Sequence, residues 1–99
     1  MEVVVTKHAA KRTKERVGLS KKIADKNAQK ALECGITHAE TTGRLSRYLD
    51  SLYFHNKTAN NIRIYQRNVY IFNQNTLITI LPLPAKYRKL VDQLQTKKS

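Results

Sequence analysis

Tryptophan is absent from this 99-residue chain, cysteine and methionine occur once each, proline twice and glycine three times, and acidic residues number only seven. Each scarcity removes a class of answer. A single cysteine, Cys34, cannot form an internal disulfide or supply a multi-cysteine zinc site, a usage that fits a reducing compartment. Beside Gly35, at the end of an expected helix, it reads as a small buried residue. Gly18, Gly35 and Gly43 stand far apart, so the chain has neither a Gly-rich phosphate loop nor a GxSxG elbow, which excludes P-loop nucleotide hydrolysis and nucleophile-elbow serine chemistry. No apolar run approaches the roughly 20 residues that span a bilayer, and no signal-peptide pattern opens the sequence. A cytoplasmic protein with no membrane partner is expected. No repeats or low-complexity linkers divide the chain, and its length suits one domain, residues 1–99, with 95–99 as a frayed tail.

Against the seven acids stand 19 Lys and Arg, a formal charge of +12. Such an excess points to a polyanionic partner, RNA or DNA ahead of an anionic membrane surface. It is also unevenly placed. From Lys7 to Lys30 there are nine Lys and Arg and only Glu15 and Asp25, so this quarter of the chain carries +7 of the total.

Hydrophobic patterning supplies the frame. Residues 61–84, NIRIYQRNVYIFNQNTLITILPLP, hold three short β-branched and aromatic runs at 62–65, 69–72 and 77–81, separated by polar, Asn-bearing breaks. This predicts a three-stranded antiparallel meander stopped by Pro82 and Pro84. Alternation places Ile62 and Ile64 on one face and Arg63 and Tyr65 on the other. Tyr70 and Phe72, with Ile78 and Ile80, leave both faces partly apolar, so some cover is needed on each. Upstream, Val3, Val4 and Val5 suit an added edge strand. Thr6 is an N-cap for a helix over 7–16, and Ser20 caps a second over 21–34, closed by Gly35 at the position where a left-handed residue often ends a helix. The second helix turns Ile23, Ala24, Asn27, Ala28, Ala31 and Leu32 inward and its lysines outward. Residues 36–42 read as a loop. A third helix follows over 43–54 with Leu45, Tyr48, Leu49, Leu52 and Tyr53 as an apolar stripe, and a short last one turns Tyr87, Leu90, Val91 and Leu94 inward. The fold class is α+β: an N-terminal strand and two or three helices packed on one face of a small antiparallel sheet.

The first helix carries the candidate chemistry. His8, Arg12 and Glu15/Arg16 recur at i, i+4 and i+7/i+8 and share one side, while Ala9, Ala10 and Thr13 form a narrow packing face. Joined across space by Arg63 and Tyr65, the residues His8, Arg12 and Arg16 can supply what RNA cleavage needs without metal or other cofactor: a base, an acid, and cations on the phosphate. The plainer alternative has His8 bonded to a backbone carbonyl and the arginines paired with Glu15 and Glu40 or solvated. Lys7, Lys11, Lys14, Lys21, Lys22, Lys26 and Lys30 are the candidate nucleic-acid contacts. Tyr48 and Tyr53 read as core, whereas Tyr65 and Tyr70 can stack bases. His8, His38 and His55 are widely separated and show no metal-ligand spacing.

The stretch KHAAKRTKERVGLS, of the form HAxxRxxER, followed by a second helix and a late meander, resembles a group of small bacterial and phage proteins related to the RelE/ParE/BrnT toxins. The resemblance implies a compact RelE-like fold that cuts mRNA, often on the ribosome, without a metal, and is neutralised by a cognate antitoxin, expected to be acidic. The motif matches His8, Arg12, Glu15 and Arg16, while Arg63 and Tyr65 match only a general habit of basic and aromatic residues on the sheet. The tyrosine-bearing helix at 43–54 departs from the simplest toxin pattern. Two non-catalytic readings stand beside it: a nucleic-acid or ribosome binder, and an adaptor whose positive surface meets an acidic protein.

Overall fold

A computed structural model describes residues 2–98. In chain order it contains β1 (Val4–Val5), α1 (Lys7–Val17), α2 (Lys21–Cys34), β2 (Ile36–Thr37), a 3-10 turn (His38–Glu40), α3 (Gly43–His55), β3 (Asn61–Tyr65), β4 (Asn68–Asn73), β5 (Thr76–Pro82), a second 3-10 turn (Ala85–Tyr87) and α4 (Arg88–Lys98). The strands form one sheet in the order β1-β5-β4-β3-β2.

The meander is as expected, with β3, β4 and β5 antiparallel neighbours. The sheet as a whole is mixed, however, because β1 runs parallel to β5, Val4 opposite Thr76 and Val5 opposite Leu77. Two bonds to one residue hold it there: the Val4 N–H donates to the Asn75 carbonyl at 2.8 Å, and the Asn75 side-chain amide donates to the Glu2 carbonyl at 2.6 Å. In this direction the chain leaves β1 straight into α1, which packs on the remainder of β5.

Helices cover both faces of the sheet rather than one, and β4 shows why. Its Val69 and Ile71 are fully buried in a cluster with Ile36, Leu45, Leu49, Ile62, Ile64, Leu83, Tyr87 and Val91, beneath α3 and α4. Its Tyr70 and Phe72, equally buried, belong to a second cluster with Ala24, Ala28, Ala31, Leu77 and Ile80, beneath α2. A central strand apolar on both sides needs two layers of cover. The layers differ in grain. On the α1 side, Ala9 and Thr13 are the buried residues, small enough for the helix to lie close against β5. On the other face large side chains fill the space, including a Tyr48–Tyr87 ring pair with centroids 4.9 Å apart.

Four local expectations change. Residues 36–42 are not all loop: Ile36 and Thr37 pair with Ile64 and Arg63 as an edge strand, and Glu40 closes the next turn by accepting from the Thr37 N–H at 3.0 Å and hydroxyl at 2.9 Å. Gly35 is not left-handed but extended, at φ −67°. It is needed for space, since a Cβ there would lie 2.5 Å from the Ala31 carbonyl oxygen. Cys34 is exposed, its thiol donating to the Lys30 carbonyl at 3.1 Å. Ile23, read as inward, is 48% exposed, because the three alanines alone make the buried row of α2.

Candidate nucleic-acid interface

Helix α1 begins where the Thr6 hydroxyl accepts from the Ala9 N–H at 3.1 Å and ends at Gly18, whose φ of 72° suits glycine and whose N–H donates to the Lys14 carbonyl at 3.0 Å. With Ala9 and Thr13 turned to β5, helical geometry puts Lys7, Lys11, Lys14 and Glu15 on the outer face, all exposed. His8, Arg12 and Arg16 form a row along the border. His8 and Arg16 are exposed and Arg12 is half-buried. Arg16 is the anchored member, its Nη1 donating to the Thr79 hydroxyl on β5 at 3.3 Å.

Helix α2 begins at Ser20, whose hydroxyl accepts from the Ile23 N–H at 3.4 Å. The alanine row turns every lysine away from the sheet, so Lys21, Lys22, Lys26 and Lys30 are exposed. Helices α1 and α2 pack against one another, so their exposed cations stand on adjoining helices. Among the described residues, the ion pairing on these helices is limited to Lys21 with Asp25 at 3.1 Å. Neither Arg12 nor Arg16 pairs with Glu15 or Glu40 among the described residues. The cations are left to solvent and to whatever anion approaches.

Arg63 and Tyr65 occupy the same side of the sheet as α2 but lie apart from the α1 row. They sit on β3, separated by β4 from β5, the strand against which α1 packs; α2 turns its alanine row onto side chains of β4 and β5 and also comes close to β3. Arg63, half-buried, donates from Nε to the Asn61 side-chain oxygen at 2.8 Å and lines a cleft with Leu32, Asn60, Asn61 and Gln74. Tyr65 packs against the α2-side cluster, its ring 6.4 Å from that of Tyr70. No hydrogen bond or ion pair among the described residues joins His8, Arg12 or Arg16 to Arg63 or Tyr65.

Tyr70 cannot stack a base, since it is completely buried. Its hydroxyl lies near the side chains of Asn68 and Asn27 without a well-formed hydrogen bond, and burial pushes its pKa up to about 12. A residue pair that sequence spacing did not reveal is His38 with Asp50, Nε2 to Oδ1 at 2.6 Å, with the imidazole edge-on to Tyr53. Twelve positions separate the two, and the link depends on α3 folding back over the preceding turn. No periodicity encodes that. No three His, Cys, Asp or Glu side chains among the described residues converge as a metal site needs.

The chain matches no family model, and no curated protein or solved structure is similar to it.

Proposed function

We propose that this chain binds RNA through the outer faces of α1 and α2. One observation carries the reading: eight exposed cations, Lys7, Lys11, Lys14, Arg16, Lys21, Lys22, Lys26 and Lys30, stand on two adjoining helices, and only Lys21 among them is ion-paired within the described residues. Polynucleotide affinity comes mainly from cations that displace the counterions condensed on phosphates, and an unneutralised cationic face is what that needs. An anionic membrane would also attract such a face but rewards an apolar stripe beside it. Here Ile23 is the one large apolar side chain strongly exposed on these helices. Among the described residues no helix is long and apolar enough to cross a bilayer.

A metal-independent, RelE-like endoribonuclease is the second reading, favoured by the row of His8, Arg12 and Arg16. An imidazole on one helix side with two guanidiniums, which no carboxylate among the described residues pairs with, can exchange a proton and stabilise a phosphorane-like charge. Arg16, tethered to Thr79, gives the row a fixed point. In this reading an acidic antitoxin competes with RNA for the same cations, and the ribosome is a further RNA-bearing partner.

One experiment separates the readings. Labelled single-stranded RNA is mixed with the protein in EDTA across a salt series, and the mixture is examined for binding and, on denaturing gels, for strand cleavage. RNA binding that weakens steeply with salt, with the strand intact, supports the binder. Cleavage to products with 2′,3′-cyclic phosphate ends, abolished by His8→Ala or Arg12→Ala while binding persists, supports the nuclease. Absence of RNA binding even at low salt removes both and leaves an acidic protein as the partner.

A further inference from the structure

The cleft beside Arg63 lies at the C-terminal end of α2, past Lys30, and has a different character. It is an open groove of about 490 Å³ lined by Leu32, Asn60, Asn61, Arg63 and Gln74. Its polar groups fall into two sets. Asn60 is committed to the fold: its side-chain oxygen accepts from the Gln74 N–H at 2.7 Å, and its amide donates to the Asn73 side-chain oxygen at 3.4 Å. The Asn61 oxygen accepts from Arg63 Nε at 2.8 Å, which fixes the plane of the guanidinium. The two Nη groups of Arg63 are left as parallel donors, and no carboxylate pairs with them among the described residues. Gln74, exposed on the β4–β5 turn, brings a second side-chain amide to the rim.

We propose that this cleft receives one unstacked guanine of a bound single strand, an inference that rests on the RNA-binding reading and adds base specificity to it. Guanine is the base whose edge offers two adjacent acceptors, N7 and O6, to a fixed Arg fork. Adenine places an amino donor where O6 would be and meets the same fork with a clash of donors. Leu32 supplies an apolar wall for the ring face, and the Gln74 amide can accept from the opposite edge of the base. Leu32 belongs to α2, so a strand that follows Lys26 and Lys30 along that helix reaches the cleft. Single-stranded RNA, with its bases free to splay outward, is the substrate class this geometry fits.

The test compares a fluorescently labelled uridine octamer with the same octamer bearing one central guanosine, by anisotropy at fixed salt. The guanosine octamer is expected to bind about tenfold more tightly. Arg63→Lys keeps the charge but loses the fork, and the ratio is expected to fall to near one. Gln74→Gly removes the amide and also relieves a left-handed backbone at φ 56°, so the ratio should drop while the melting temperature rises. That opposite movement separates lost recognition from lost folding. Equal binding of the two octamers by the wild-type protein overturns the proposal and leaves RNA binding standing. So does an Arg63→Lys protein that binds both more weakly at an unchanged ratio, because Arg63 is then a phosphate contact. If neither octamer binds, the RNA reading itself fails, and a GMP titration followed by amide chemical shifts decides for the cleft. Shifts confined to 60–63 and 74 keep it as a guanine-nucleotide site, and their absence there removes it.

Discussion

Among the described residues, three that bear side chains hold positive φ: Gln66 at 49°, Arg67 at 63° and Gln74 at 56°. The first two are the whole loop of the β3–β4 hairpin, since Tyr65 pairs directly with Asn68. A two-residue hairpin loop with both φ values positive follows the right-handed twist of its strands, but Asn and Gly adopt it far more readily than Gln or Arg. Gln66→Asn is therefore expected to stabilise the fold by about 1 kcal/mol, read as a rise in Tm of about 4–8 °C. Tyr70 makes the contrasting case. Its ring fills the α2-side core, while its buried hydroxyl gains no well-formed bond in return. Tyr70→Phe should change stability by less than about 1 kcal/mol, whereas Tyr70→Ala should cost about 3–5 kcal/mol through the cavity it leaves. Wild type and Tyr70→Phe should also part company in alkali. Because the folded pKa is raised from 10.0 to about 12, chiefly by burial, stability is whole below the unfolded value and falls as pH climbs through that interval. Denaturant melts taken on either side of the interval should show this loss in the wild type and much less of it in Tyr70→Phe.

Among the elements, the helices were legible because short-range chemistry fixes their ends. Thr6 and Ser20 are real caps, and α2 spans the very residues that the spacing indicates. The meander was legible too, its turns falling at the Asn-bearing breaks. What could not be read are the pieces whose existence depends on a distant partner. β2 has two residues and survives only because β3 offers an edge, and the parallel sense of β1 depends on the Asn75 bonds. The same limit explains the candidate site. Alternation correctly put Arg63 and Tyr65 on the face away from Ile62 and Ile64, yet where α2 lies across that face is a matter of its alanine row meeting β4 and β5. Gly35 is the joint between α2 and β2. Gly35→Ala would press a methyl group against the backbone carbonyl of Ala31, which has no rotamer to escape into, and should cost about 1–3 kcal/mol in chemical denaturation. A second joint ties the β3–β4 turn to α4, where Arg67 grips Asp92 through Nη2 to Oδ2 at 2.7 Å and Nε to Oδ1 at 3.3 Å. The hydrogen bond from Arg67 lowers the Asp92 pKa, so this joint contributes stability above the ordinary aspartate range and loses it as pH falls through the depressed value. Both side chains are half-exposed, so the effect should be small and salt-sensitive. Asp92→Asn is expected to flatten the acid limb of the stability–pH curve at low ionic strength.

Taken as one body, the molecule sets large packing residues on one face of its sheet and small ones on the other. The face under α3 and α4 holds most of the large buried side chains, including Leu45, Leu49 and Tyr87, and the face under α2 is built on alanines that bring the helix close. Close packing by small residues leaves the long cationic side chains of α1 and α2 projecting outward without a role in the core. Their removal should consequently be cheap for folding and expensive for binding. Lys22, Lys26 and Lys30 are exposed and form no ion pair among the described residues. Changing all three to Ala is expected to move the melting temperature little, since such surface changes usually stay within about 0.5 kcal/mol each. Single-strand binding should respond differently. For each phosphate that the protein ceases to neutralise, the slope of log K against log salt is expected to become shallower by about 0.7. A triple variant that keeps the wild-type slope would place the polyanion on some other surface. One whose slope becomes shallower by about two units while it melts normally would locate the strand along α2, leading from the α1 cations toward the cleft at Arg63.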